Sequence, residues 1–253
     1  MAAPENQFKT ALQAGAVLKG PWLSLGSGAV AEIAGRAGFG YVLIDGEHGP
    51  FDPVGIAGQL RALEATGTPT AVRVPGHDAW ILKQILDAGA QTIMVPVVNT
   101  PAEAEAIVGA CLYPPAGRRG LGGANMRAGG YGAIPDYPAT ANAQICLIAQ
   151  IESVEAVDNI EAIAAVDGID ALFVGPSDLG CDMGFTSDLG SEPVWQAVEE
   201  AVARIAATGK AAGVFAGPDR AAQMAAAGAR ILGTGVDAGL LTLAMQAHAK
   251  ALA

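Results

Sequence analysis

One phrase recurs along the chain and limits its fold more than any other feature. Ala37-Gly38-Phe39-Gly40 precedes Tyr41-Val42-Leu43-Ile44, and Ala88-Gly89-Ala90-Gln91 precedes Thr92-Ile93-Met94-Val95. Asp167-Gly168-Ile169-Asp170 precedes Ala171-Leu172-Phe173-Val174, and Ala227-Gly228-Ala229-Arg230 precedes Ile231-Leu232. The first glycine of each falls where a helix should end in a left-handed cap, a conformation glycine adopts without steric cost. A short, continuously apolar run follows each time, the pattern of a parallel strand covered on both faces. Four more strand candidates are Trp22–Leu25, Thr70–Val74, Ile145–Ile151 and Ala212–Ala216. Helical patterns alternate with them. Thr100-Pro101-Ala102-Glu103 reads as a capping box with proline at the first helical position. Val194, Val198, Ala201, Val202 and Ile205 recur at helical spacing after Ser191 and Pro193. Eight strand–helix units in 253 residues predict an α/β fold, one (β/α)8 barrel over residues 1–253. A doubly wound open sheet is the competing arrangement, but no G-x-G-x-x-G follows the first strand.

Composition narrows the partners. The net charge is −11 with no basic patch, which argues against nucleic acid. No apolar run approaches the length of a membrane span. Met1 to Gly20 carry Lys9 and Lys19 and lack the apolar centre of a signal peptide, so a cytoplasmic setting is expected. Cys111, Cys146 and Cys181 are odd in number, with no C-x-x-C, and read as reduced structural cysteines. One stretch breaks the strand–helix rhythm. Tyr113 to Tyr137 holds Pro114-Pro115, Arg118, Arg119, Arg127 and many glycines, and so long a loop is expected to be functional or to contact a partner.

In a barrel, chemistry belongs at the C-terminal ends of the strands. The polar residues expected there are Asp45-Gly46-Glu47-His48, Arg73, Gln150 and Glu152, Ser177-Asp178, and Asp237. Gln150-Ile151-Glu152 and Gly175-Pro176-Ser177-Asp178 each end an apolar run with a carboxylate, which is costly unless that charge is paired. Glu152 and Asp178 converging on one point would repel each other unless a cation lay between them. A hard divalent ion, Mg²⁺, Mn²⁺ or Co²⁺, suits two carboxylates and leaves positions for a chelating 2-oxo acid and water. The competing reading is a structural hydrogen-bond network. His48, three residues after Asp45, is expected to pair its imidazole with that carboxylate and act as a general base. Arg73 must find an anion, either Asp45 or Glu47 in a salt bridge or a developing enolate oxygen. No lysine ends a strand: Lys19 and Lys210 precede strands one and seven, Lys83 lies within a helix, and Lys9 and Lys250 are near the termini. A Schiff-base mechanism therefore has no nucleophile, and the electron sink falls to a metal.

Several segments together resemble the HpcH/HpaI aldolase/citrate lyase family. They are Leu43-Ile44-Asp45-Gly46-Glu47-His48-Gly49-Pro50, Tyr113-Pro114-Pro115-Ala116-Gly117-Arg118-Arg119-Gly120, Gln150-Ile151-Glu152 and Phe173-Val174-Gly175-Pro176-Ser177-Asp178-Leu179. The likeness runs in order from Trp22 to Asp237. It is strongest to the metal-dependent class II pyruvate aldolases of the 4-hydroxy-2-oxoheptane-1,7-dioate and 2-dehydro-3-deoxyglucarate type. The resemblance implies cleavage of a 4-hydroxy-2-oxo acid to pyruvate and an aldehyde through an enolate, with oxaloacetate decarboxylation as a side activity. It implies His48 as base through a metal-bound water, Asp45 as its orienting partner, Arg73 on the enolate, and Glu152 and Asp178 on the metal. Gln150 and the turn Gly175-Pro176-Ser177-Asp178 would hold pyruvate, with Trp22 and Phe215 also bordering the substrate. Asp87 matches a carboxylate that raises the basicity of the active-site histidine. In a barrel it lies remote from its own strand ends, so it could serve His48 only from a neighbouring subunit. A homo-oligomer is implied, a hexamer of paired trimers, with the last helix (Gly239 to Ala253) packing on another subunit. Phe215 and the glycine-rich segment Asn125 to Gly132 depart from what is frequent in the family, which leaves the aldehyde open. A citrate-lyase-type enzyme acting on an acyl-CoA thioester and a non-catalytic metabolite-binding barrel are the alternatives.

Overall fold

A computed structural model describes residues 1–252. Eight parallel strands close into a barrel in chain order: β1 (Leu18–Leu23), β2 (Val42–Asp45), β3 (Thr70–Arg73), β4 (Thr92–Val95), β5 (Cys146–Ile151), β6 (Ala171–Val174), β7 (Ala211–Phe215) and β8 (Ala229–Val236). Helix α1 (Gln7–Gln13) precedes β1, and α2 (Gly28–Arg36), α3 (Pro53–Glu64), α4 (Ala79–Asp87) and α5 (Pro101–Cys111) follow the first four strands. Then come α6 (Tyr137–Gln144) before β5, α7 (Val154–Asp158) and α8 (Ile160–Ala164) after it, and α9 (Pro176–Asp182) and α10 (Glu192–Ala207) after β6. Helices α11 (Gly217–Ala226) and α12 (Asp237–Ala251) follow β7 and β8.

The four expected left-handed glycines are all present, with φ of 85° at Gly38, 109° at Gly89, 98° at Gly168 and 111° at Gly228. Each turns the chain from a helix into the next strand. The barrel interior is filled by Trp22, Tyr41, Leu43, Met94, Ile148, Phe173 and Ile231. Helix α1 plugs the end where strands begin: Phe8 stands edge-on to Tyr41, with centroids 5.5 Å apart. The opposite end is therefore the open one.

Two strands differ from expectation. β1 starts at Leu18 rather than Trp22, because its register shifts between Gly20 and Trp22 around Pro21. A methyl group on Gly20 would lie 1.9 Å from the Tyr41 carbonyl oxygen, so the strand has no apolar side chain there to betray it. Lys19 is consequently inside β1, on its exposed outer face, and does not precede it. β8 extends to Val236 through Gly233 and Gly235, although its apolar run ends at Leu232. His77 lies just outside α4, which begins at Ala79.

Helix α12 leaves the barrel wall. Only Asp237 of it is buried, while Leu240, Leu243 and Met245 are 51%, 66% and 63% exposed. Ala253, expected in the same helix, lies outside the described residues. The described residues contain no helix long and apolar enough to cross a membrane.

Candidate active site

At the open end, β2 and β3 pair Asp45 with Arg73 in register. Both are buried, and the guanidinium forks onto the carboxylate, Nε donating to Oδ1 at 2.9 Å and Nη2 to Oδ2 at 2.8 Å. Such a fork matches carboxylate geometry at both oxygens. Nη1 adds an ion pair to Glu47 at 2.6 Å, and the guanidinium lies over the Trp22 ring, 4.4 Å from its centroid. Asp45 Oδ1 also accepts the backbone N–H groups of Glu47 (3.1 Å) and His48 (3.3 Å), fixing the turn that carries both side chains.

This corrects one expectation. Asp45 does not pair with the His48 imidazole, because Arg73 occupies both of its oxygens. Asp45 orients the His48 backbone instead. The His48 side chain is exposed and takes no hydrogen bond within the described chain.

The second half of the mouth comes from β5 and β6. Gln150 and Glu152 face the same way, and Gln150 Nε2 donates to Glu152 Oε2. The other oxygen of Glu152 accepts the Val97 N–H at 2.7 Å. Val97 adopts φ 53°, which is strained for a β-branched residue and delivers that donor just after β4. Gly175 allows the β6 turn to approach: a methyl group there would lie 2.6 Å from Glu152 Oε2. Gly175 and Pro176 are buried, Ser177 and Asp178 after them are exposed, and the Asp178 charge is felt by Glu47 and Glu152. Burial pushes the Glu152 carboxyl up to about 7; the Val97 N–H opposes this, while the charges of Glu47 and Asp178 add to it. Burial likewise raises Glu47 above the ordinary carboxylate range, against Arg73 and His48. Three carboxylates therefore feel one another at this end. Among the described residues, no group of three histidine, cysteine or acidic side chains is close enough to form a complete metal cage by itself. Any ion here would draw on two protein carboxylates and on oxygen from elsewhere.

Trp22 is buried beneath Arg73 rather than lining an open wall, and the half-buried Phe215 packs on it at 5.1 Å. Asp237, expected at the mouth, is structural: it accepts from Ser24 N (2.8 Å), Ser24 Oγ (2.9 Å) and Leu25 N (3.2 Å), tying β1 to the start of α12. Asp87 ends α4 and so lies at the plugged end of the barrel, where it pairs with Arg119. Two participants were missed as such. Glu47 was read only as a salt-bridge partner, although its place between Arg73 and the other carboxylates signals more. Val97 carried no side-chain signal. Lys9 and Lys210 bond to the Ile145 and Ile169 carbonyls at strand N-terminal ends, away from the mouth. Of the arginines in the long loop, Arg119 is buried on Asp87, Arg127 pairs with Glu64, and the exposed Arg118 donates to the Ala106 carbonyl.

The sequence profile of the HpcH/HpaI aldolase/citrate lyase family matches residues 19–244. The chain belongs to this family. A 4-hydroxy-2-oxovalerate aldolase from Novosphingobium aromaticivorans is 53% identical over 239 residues, 94% of this chain and 90% of that protein. A hydroxypyruvate/pyruvate aldolase from Agrobacterium fabrum is 46% identical over 215 residues, 85% of this chain and 81% of that protein. The crystal structure of a family protein from Burkholderia cenocepacia superposes with a TM-score of 0.92 at 38% identity, covering 98% of this chain and 99% of that one. As a member of an aldolase branch, this HpcH/HpaI protein is a carbon–carbon lyase.

Proposed function

We propose that this family member is a divalent-metal-dependent aldolase that cleaves 4-hydroxy-2-oxo acids to pyruvate and an aldehyde, and catalyses the reverse addition. One observation carries the reading: a buried Glu152, held near neutrality, shares the barrel mouth with Asp178, Arg73 and the free His48 imidazole. The donors fit a hard cation. They are oxygens, and Gln150 Oε1 is a buried acceptor with no partner. Glu152 and Asp178 would hold Mg²⁺, Mn²⁺ or Co²⁺. An ion held there would supply Lewis acidity, favouring negative charge on the ketone oxygen of the 2-oxo acid.

The chain's own groups do the rest. Gln150 and the backbone amides of Ser177 and Asp178 orient the substrate carboxylate and ketone. His48 takes the proton of the C4 hydroxyl, the C3–C4 bond breaks, and the aldehyde departs. Arg73, held by Asp45 and Glu47, stabilises the oxygen that gains charge with its remaining N–H groups. Protonation at C3 releases pyruvate. Loss of CO2 from oxaloacetate leaves the same enolate, so slow decarboxylation is expected. The half-buried Phe215, which packs on Trp22, bounds the side on which the aldehyde leaves.

The active form is a homo-oligomer, a hexamer of paired trimers. The exposed apolar residues of α12 call for a covering surface, and a second copy supplies it. Asp87 of one copy then orients His48 of another. A coupled assay for pyruvate release from a panel of 4-hydroxy-2-oxo acids tests the activity. Turnover of at least one member is expected, with His48→Ala lower by roughly 10²–10⁴-fold. No pyruvate from any member, or turnover only of a coenzyme A thioester, would overturn it.

A further inference from the structure

The long loop between α5 and α6 does one thing to Asp87 that packing does not require. The Arg119 side chain is completely buried, and its Nη2 donates to Asp87 Oδ1 at 2.7 Å. Its guanidinium lies over the Tyr113 ring, 4.5 Å from the centroid. Nε and Nη1 are buried with no partner. Burying an incompletely bonded guanidinium costs free energy, and apolar replacements of such pairs are often neutral or stabilising. Stability alone therefore does not account for an arginine here. Burial pushes the Tyr113 phenol up to about 12, so the ring stays neutral and the anion opposite Arg119 is Asp87.

Asp87 itself is only partly covered, its side chain being 24% exposed. Oδ1 is gripped, whereas Oδ2 takes no hydrogen bond among the described residues. Gly122 passes beside the open oxygen: a methyl group there would come within 3.5 Å of Oδ2 and 2.8 Å of Met126 Cγ. The loop also fastens the end of α4 by other bonds, Ala128 N to the Asp87 carbonyl (3.1 Å) and Arg127 Nη1 to the Ala88 carbonyl (3.0 Å). Backbone and one oxygen are fixed, and the other oxygen is left without a hydrogen bond on a partly exposed side chain.

We propose that Arg119 is a positioning residue for the reaction: it clamps one oxygen of Asp87 so that the other meets the His48 imidazole of a second copy. The inference rests on the shared-site reading above. A carboxylate on one ring nitrogen sets the tautomer of the other, which is what a histidine base needs and what Asp45 does not supply here. Arg119 touches no substrate and acts only through Asp87.

The test follows from Arg119 and Asp87 sharing a chain while His48 comes from the neighbour. Arg119→Gln should lose on the order of 10- to 100-fold in kcat with KM for the 2-oxo acid unchanged. Arg119→Lys, which keeps the charge, should regain part of that loss. Three pairs of variants are then dissociated, mixed and reassembled. Asp87→Ala with His48→Ala tests the shared site itself. Arg119→Gln with His48→Ala should recover activity, because about a quarter of sites in a random mixture join intact halves. Arg119→Gln with Asp87→Ala should not, since both lesions damage the same half. Recovery in the second pair also shows that the Arg119→Gln barrel folds and lends a working His48; if that variant does not fold, Arg119→Lys replaces it in each mixture. Failure of the first pair despite proven mixing would remove the shared site. Success there with unchanged kcat in Arg119→Gln, or with recovery in the third pair, would overturn the role of Arg119.

Discussion

At the mouth of the barrel, Arg73 forks onto both oxygens of Asp45 over the ring of Trp22. At the plugged end, Arg119 reaches one oxygen of Asp87 over the ring of Tyr113. The parts are alike: a buried guanidinium, an aspartate and an aromatic face. In the first assembly the carboxylate is closed: Arg73 takes both of its oxygens, and Oδ1 also accepts the backbone N–H groups of Glu47 and His48. The second is open on both sides, with two buried donors unpartnered and one carboxylate oxygen free. A closed pair holds a scaffold within one chain. An open pair leaves a carboxylate oxygen for another partner, and in the shared site proposed above that partner is the His48 imidazole of a second copy.

The largest expected effect separates the two pairs by stability. Arg73→Met strands Asp45 in the interior and should cost about 3–5 kcal/mol, as removal of one partner from a buried pair does. Arg119→Met leaves a partly exposed Asp87 and should cost well under half as much. Denaturant melts of both variants measure this, and equal losses would erase the distinction between closed and open.

The mouth also holds a buried carboxyl without a cationic partner in contact among the described residues, Glu152, and its pH dependence sharpens the contrast. Its folded value of about 7 stands above the ordinary 4.5. Below 4.5 both folded and unfolded chains hold the proton; between 4.5 and 7 only the folded chain does. Stability of metal-stripped protein should therefore fall as pH rises through that window, by on the order of 3 kcal/mol, and level off above it. Glu152→Gln should flatten the slope in thermal melts taken across the window. An unchanged slope in that variant would place the titration elsewhere. The smallest effect concerns the ring beneath Arg119: a double-mutant cycle between Tyr113→Leu and Arg119→Met should show coupling of about 1 kcal/mol. Zero coupling would mean that the ring merely fills space.

Much of the fold was legible because its signals are local. Gly38, Gly89, Gly168 and Gly228 mark helix ends by backbone conformation alone, and four apolar runs follow them. The strands misjudged at their ends, β1 and β8, are those where glycine replaces an apolar side chain to admit a neighbour, Tyr41 at Gly20 and Phe215 at Gly233. The carboxylates of the site stood out because a charge ending an apolar run is rare. What could not be read was competition between partners. Asp45 lies three residues from His48 in sequence, yet the register of β2 and β3 hands it to Arg73. Val97 serves Glu152 through its backbone, and Arg119 meets Asp87 across the long loop, so neither contact leaves a pattern in the residues themselves.

The account stands or falls on the oxygen site at the mouth. Its most direct test is turnover of a 4-hydroxy-2-oxo acid by chelator-stripped protein, before and after Mg²⁺, Mn²⁺ or Co²⁺ is returned, with Glu152→Ala in parallel. Activity should fall to background on stripping, return with metal in the natural chain, and stay absent in the variant. Full turnover in excess chelator, accompanied by a pyruvate adduct trapped with borohydride, would contradict the account.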